Sequence, residues 1–224
     1  MLEKNLRHIQ EEIAAAARRA GRFPAEVRLV AVTKTVGPDK IRQAAALGLR
    51  DFGENRLQEA RPKLQLFPEL RWHFIGHLQT NKVKEVLNSF TLIHSLERYS
   101  LAQELQRRAE QLDREARCLV QVNISGEKSK FGLSEAELPD FLEAMREFPR
   151  IKIEGLMTMA PYCDDPEEAR PVFRRLRELQ REWARPGMEL KELSMGMSND
   201  YIVAVEEGAT LVRIGTALFG ERSG

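Results

Sequence analysis

Apolar residues recur along the chain in two alternating rhythms: short, nearly unbroken runs, and longer stretches spaced three and four apart. The clearest short run is Val27-Arg28-Leu29-Val30-Ala31-Val32-Thr33-Lys34. Its composition suits a strand covered on both faces, as in a parallel sheet flanked by helices. Residues two apart in a strand share a face, so Val30, Val32 and Lys34 point one way and Leu29, Ala31 and Thr33 the other. Lys34 thereby falls at the carboxyl end of the strand, the end where α/β folds bind ligands.

Ahead of this run, Leu2, Leu6, Ile9, Ile13, Ala16 and Ala20 predict an amphipathic helix over residues 1–20, packed on the outside or bottom of the fold. Behind it, Pro38 suits the first turn of a helix that reaches Leu47 and stops at Gly48. Further strands are expected over residues 51–53, 72–75, 91–94, 118–124, 151–156, 190–193 and 210–214. Helices are expected between them: over residues 55–64, over 80–87, on the face Ala102, Leu105, Ala109 and Leu112, from Ser134, over 166–184, and over 199–206. Ser134 and Glu137 have the spacing of a capping box. Eight strands alternating with helices in 224 residues predict a single-domain α/β chain closed as a (β/α)8 TIM barrel, with the residue 1–20 helix as an extra element. An open doubly wound sheet is disfavoured because Thr35-Val36-Gly37-Pro38, not G-x-G-x-x-G, follows the first strand. No composition break marks a linker, so one domain is expected over residues 1–224.

Composition narrows the class. Hydrophobic residues make 42% and charged residues 31% of the chain, as in ordinary soluble domains. Thirty-five Lys and Arg against 34 Asp and Glu leave a formal charge of +1, too weak a field to make nucleic acid the main partner. The first twenty residues carry charge throughout, without the apolar core of a signal peptide, and no run is long enough to span a bilayer. No membrane partner and a cytoplasmic location are therefore expected. Two cysteines are too few for a disulfide framework, and Cys118 in its apolar run reads as a structural thiol. No metal is expected. The charge run with Arg174, Glu178 and Arg181 reads as a solvated outer face.

Three features carry candidate chemistry. A lysine partly withdrawn from water at a strand end has its free amine favoured, which suits Schiff-base formation; the plainer alternative is a solvated lysine opening a surface loop. Ser194-Met195-Gly196-Met197-Ser198-Asn199-Asp200 and Arg213-Ile214-Gly215-Thr216-Ala217 each offer glycine, hydroxyl and backbone N–H groups suited to an anion. Their positions after the seventh and eighth strands match the usual phosphate site of a barrel, although helix caps use the same residues. Leu211, Arg213 and Gly215 share a face of the eighth strand, so Arg213 is expected inside the barrel, beside Lys34 if first and last strands pair. A structural ion pair with a carboxylate is the alternative for Arg213. A ligand with a phosphate, an aldehyde and a hydrogen-bond acceptor uses all three features, and pyridoxal 5′-phosphate is such a molecule.

The stretches Ala31-Val32-Thr33-Lys34, Phe52-Gly53-Glu54-Asn55, Ser194-Met195-Gly196-Met197-Ser198 and Val212-Arg213-Ile214-Gly215-Thr216, with residues 73–82, 122–132 and 155–160, together resemble the pyridoxal phosphate homeostasis protein family. That family resembles the barrel domain of alanine racemase standing alone. The resemblance implies that Lys34 holds pyridoxal 5′-phosphate as a Schiff base and that Ser198, Gly215 and Thr216 hold the phosphate. It also implies that Arg213 faces the pyridine nitrogen and that Asn55 lies by the ring. For His77, Lys128 and Lys130, a loop hydrogen bond or a solvated charge stays open as the alternative. It implies a cofactor-binding, cofactor-supplying monomer, not an enzyme, with recipient apoenzymes as partners. A pyridoxal-phosphate-dependent amino-acid racemase is the alternative, needing a second acid or base opposite the lysine; Tyr162 and Tyr201 are the tyrosines expected near the barrel mouth.

Overall fold

In the computed structural model, which describes residues 1–127 and 131–220, eight parallel strands close on themselves in sequence order. They are β1 (Arg28–Val32), β2 (Asp51–Glu54), β3 (Arg71–Phe74), β4 (Leu92–Leu96), β5 (Ala116–Gln121), β6 (Ile151–Met157), β7 (Glu192–Ser194) and β8 (Leu211–Ile214). Closure is made by β1 and β8, which pair Arg28 with Leu211, Val30 with Arg213 and Ala31 with Ile214. The helices are α1 (Leu2–Arg19), α2 (Pro38–Ala46), α3 (Leu57–Leu66), α4 (Val83–Ser89), α5 (Tyr99–Gln111), α6 (Leu138–Ala144), α7 (Arg170–Trp183), α8 (Tyr201–Glu206) and α9 (Thr216–Phe219). The expected barrel with its extra N-terminal helix is therefore the observed fold. No helix among the described residues is long and apolar enough to cross a membrane.

The two faces of each strand serve different cores. Leu29 and Ala31 belong to the large shell between strands and helices, whereas Val30, Leu92, Leu119, Met157 and Leu211 form a small separate cluster, the alternation a strand imposes. The outer core also takes Leu6, Ile9, Ile13 and Ala16 of α1, which lies against α8 and α9 and buries Ala17 where the sequence suggested Ala20. Cys118 is wholly enclosed, and burial pushes its thiol pKa far above the ordinary value, as befits a structural thiol.

Several boundaries move for local reasons. The capping-box bonds exist, with Glu137 Oε2 accepting from the backbone N–H of Ser134 at 2.8 Å and its hydroxyl at 2.6 Å. They close a turn, and α6 begins after it at Leu138. The strand expected through Ile124 ends at Gln121. The charge run on α7 is not simply solvated: Arg170, Arg174 and Arg177 converge on the buried Glu207 at about 3.1 Å each, while Glu178 pairs with Arg175.

Candidate functional site

A cavity of about 500 Å³ opens at the carboxyl ends of the strands, and Lys34, Asn55, Ser198, Arg213, Gly215 and Thr216 all line it. Its size lies within the range of small-molecule sites. The sequence brings these residues together through strand ends: Lys34 follows β1, Asn55 follows β2, Ser198 follows β7, and Arg213 sits in β8 just before Gly215 and Thr216.

Lys34 lies beyond its strand instead of within it. Thr33 donates its N–H to Gly53 O at 3.0 Å as the last rung to β2, and its carbonyl then accepts from Val36 N–H at 2.9 Å. That i to i+3 bond makes residues 33–36 a tight turn, with Thr35 at a positive φ of 63°, as the third position of a type II turn has. Lys34 is half-buried on this turn, facing the cavity, not opening a wholly solvated loop. Beneath it, the buried Lys63 of α3 donates to the Thr33 carbonyl at 2.7 Å and pairs with Glu54 at 2.6 Å. Thr33 donates its hydroxyl to the same carboxylate oxygen at 2.5 Å.

Arg213 is 4% exposed. Its guanidinium donates to Ser194 Oγ through Nη1 and to the Thr158 carbonyl through Nη2 at 2.9 Å. Hydroxyl and carbonyl, not a carboxylate, thus hold it among the described residues. Burial brings its pKa down to about 10, the nearby Asp200 acting the other way, so it remains a cation and a donor at neutral pH. Asp200 also lines the cavity and accepts from Met197 N–H at 2.6 Å; burial raises its carboxyl pKa.

The two loop cradles meet at the rim. Ser198 Oγ accepts from Ala217 N–H at 3.2 Å, joining the loop after β7 to the first turn of α9. Close backbone approach is required at Gly196, whose φ is +92° and whose added Cβ would fall 2.6 Å from that of Ala204. At Gly215 a Cβ would meet Val32 at an ordinary 3.5 Å. Asn55 Oδ1 is buried and has no hydrogen-bond partner among the described residues.

Residues that sequence reasoning left out include Lys40, a second amine on the cavity wall whose Nζ donates to Phe219 O at 3.2 Å. Its position in the first turn of a helix that follows Lys34 was the available signal. Of the tyrosines, Tyr162 lines the rim at 82% exposure, whereas Tyr201 turns away and donates to Glu12 of α1. His77 stands outside the cavity, bonded to Glu97 at 2.7 Å and stacked on Phe131, which is the loop-bond alternative. Lys128 and Lys130 lie outside the described residues.

Residues 5–223 match the family model "Alanine racemase, N-terminal domain". The chain is 47% identical over 222 residues to a pyridoxal phosphate homeostasis protein of Aquifex aeolicus, covering 98% of this chain and 97% of that one. It is 43% identical to the protein of the same name from Pseudomonas aeruginosa, over 99% and 96% of the two chains. Among solved structures, PipY of Synechococcus elongatus with PLP bound superposes with a TM-score of 0.83 at 36% identity, over 98% of this chain and all of that one. By fold and by sequence along nearly its whole length, the chain belongs to the pyridoxal phosphate homeostasis protein family, built on the alanine racemase N-terminal domain.

Proposed function

We propose that this protein binds pyridoxal 5′-phosphate at the carboxyl mouth of its barrel and serves to hold and supply the cofactor, without strong catalysis of its own. The observation that carries this reading is the convergence of Lys34, Asn55, Ser198, Arg213, Gly215 and Thr216 on one cavity, in a chain 36% identical throughout to a protein solved with PLP bound. The residues fit the group. The unpaired buried Asn55 Oδ1 is free to accept from a ring substituent. Ser198 and Thr216 bring hydroxyls to one rim, and Arg213 points a fixed donor into the cavity.

When bound, the cofactor supplies an aldehyde carbon for a Schiff base and a ring that withdraws electrons. The tight turn at Thr33 holds Lys34 at the mouth. The Ser198 and Thr216 hydroxyls orient the phosphate. Arg213 retains its proton, so it would donate a hydrogen bond to the pyridine nitrogen of the bound group, which would leave the ring a weaker electron sink. Racemisation also calls for a fixed acid or base opposite Lys34; Tyr162, 82% exposed on the rim, is not held for that work. In this reading the protein acts as a cytoplasmic monomer that passes the cofactor to apoenzymes.

Borohydride reduction of the loaded protein followed by peptide mass mapping tests the assignment. A pyridoxyl adduct is expected on Lys34 and is expected to vanish in Lys34→Ala. An adduct confined to Lys40, Lys128 or Lys130 overturns it.

A further inference from the structure

The barrel interior holds a line of polar side chains in addition to apolar ones. Asp51, His73, His94, Ser194 and Arg213, contributed by β2, β3, β4, β7 and β8, are all at most 5% exposed. Each contacts the next. Arg213 Nη1 meets Ser194 Oγ, Ser194 Oγ lies 2.8 Å from His94 Nδ1, His94 Nε2 lies 2.9 Å from His73 Nδ1, and His73 Nε2 lies 3.0 Å from Asp51 Oδ1. The line starts in the cofactor cavity and ends at the first residue of β2, at the opposite mouth. There Arg71 grips Asp51 with two bonds of 2.8 and 2.6 Å, and both residues line a second hollow of about 400 Å³.

With both imidazoles neutral, the chemistry of the two ends fixes every hydrogen between them. A guanidinium only donates, and an ionised carboxylate only accepts. Ser194 Oγ accepts from Arg213, so its own hydrogen goes to His94 Nδ1. His94 then carries its hydrogen on Nε2 and donates it to His73 Nδ1. His73 likewise carries its hydrogen on Nε2 and gives it to Asp51. The reverse order sets a second donor against Ser194 and leaves the hydroxyl hydrogen without an acceptor in the line. Burial lowers the pKa of His94 well below the ordinary value, consistent with a neutral ring. Such a directed line in a low-dielectric interior is mutually polarising.

We propose that Asp51 is a positioning residue for the cofactor cavity: acting through His73, His94 and Ser194, it fixes the direction in which the Arg213 guanidinium presents its remaining donors. The inference rests on the cofactor reading above for its consequence, but its hydrogen-bond order belongs to the protein alone. The sink for the whole line lies at the far mouth, so a change there reaches the cavity without touching any cavity-lining residue.

Two measurements test it. In nitrogen-15 imidazole spectra of the ligand-free protein, His73 and His94 are expected as Nε2–H tautomers, and Asp51→Asn is expected to move the His94 signals as well as those of His73. An Nδ1–H tautomer at either ring, or His94 signals indifferent to Asp51→Asn, overturns the proposal whatever the protein binds. In the loaded protein, Asp51→Asn is expected to weaken pyridoxal 5′-phosphate binding about fivefold and to shift the absorption maximum, yet to change affinity less than about twofold when Ser194→Ala has already cut the line. Equal losses in both backgrounds mean a general loss of stability and overturn it. His73→Asn cuts the line without touching Arg71 and gives the same comparison should Asp51→Asn fail to fold. Failure of every variant and of the unaltered protein to take up the cofactor sinks the Lys34 reading, and the ligand-free spectra still decide the order of the line.

Discussion

The Ser198 hydroxyl accepts a hydrogen bond from the backbone N–H of Ala217 at 3.2 Å, although the two residues come from different strand-helix connections. This bond holds the loop after β7 against the start of α9, so the two halves of the candidate phosphate cradle cannot separate without breaking it. Ser198→Ala removes the tie and a hydroxyl from the cavity wall together. Affinity for pyridoxal 5′-phosphate is expected to fall about tenfold, the equivalent of roughly 1.4 kcal/mol, as for one charge-assisted hydrogen bond. Fluorescence or absorbance titration reads it, and an unchanged dissociation constant removes Ser198 from the cradle.

Asn55 is positioned by its neighbour just past the next strand, β3. An added Cβ at Gly76 would fall 2.2 Å from the Asn55 carbonyl oxygen and 2.8 Å from its Cα. Gly76→Ala therefore has to push the turn after β2 away from the turn after β3, carrying Asn55 out of the cavity wall. A loss of about 1–3 kcal/mol in urea unfolding is expected from such overpacking, with weaker cofactor binding alongside. A variant that melts and binds like the parent shows that the Asn55 turn moves freely.

The fold was legible where periodicity reports burial. Val30 alternates with Leu29 and Ala31, and those parities fall in the two cores of the barrel, while Val32 on the Val30 parity lines the cavity. The lining of the cavity was legible where it follows strand ends, as at Lys34 and Arg213. What escaped has physical reasons. The α9 helix, Thr216–Phe219, is too short to show a period. β1 ends at Val32 because the residues after it close a turn in which Val36 N–H bonds the Thr33 carbonyl, a bend that the apolar run does not announce. His73, His94 and Asp51 occupy inward positions of three different strands, and only tertiary closure shows that they meet. The partnership of Arg170, Arg174 and Arg177 with Glu207, just past the end of the next helix, is likewise invisible to a rule that looks four residues along the same helix.

Two buried carboxylates, Asp51 and Glu207, are expected to contribute to the acid limit of the fold. Burial by itself would raise both. For Asp51 the hydrogen bonds from Arg71 and His73 outweigh it, and for Glu207 those from Arg174 and Arg170 do, so both carboxyls titrate below the usual range. A carboxyl with a depressed folded-state pKa contributes stability that is fully present above its unfolded value, about 4, and lost as the pH falls through the folded one. Unfolding free energy is thus expected to hold between pH 7 and 5 and to drop steeply below about 4. Glu207→Gln is expected to cost about 2 kcal/mol at pH 7 and to flatten the acid limb. Parallel acid limbs for variant and parent would show that Glu207 does not drive the loss.

Lys63 and Glu54 are an ion pair with side chains 8% and 0% exposed, a costly arrangement unless both charges are well bonded. The ammonium gives hydrogen bonds to Glu54 at 2.6 Å and to the Thr33 carbonyl at 2.7 Å, while Glu54 Oε2 is buried without a hydrogen-bond partner among the described residues. The pair therefore adds little net stability, yet removing one member strands the other. Lys63→Met is expected to destabilise by about 3–5 kcal/mol because it leaves the Glu54 carboxylate without its counter-charge. Lys63→Met with Glu54→Leu is expected to recover most of that stability. The double variant nonetheless lacks the bond that pins the Thr33 carbonyl, and with it the turn carrying Lys34, so it is expected to react more slowly with pyridoxal 5′-phosphate while remaining folded. Recovery of stability without recovery of the rate separates the two roles of Lys63. Recovery of both would mean that the turn is held by its own Val36 to Thr33 bond and that the ion pair has no part in presenting Lys34.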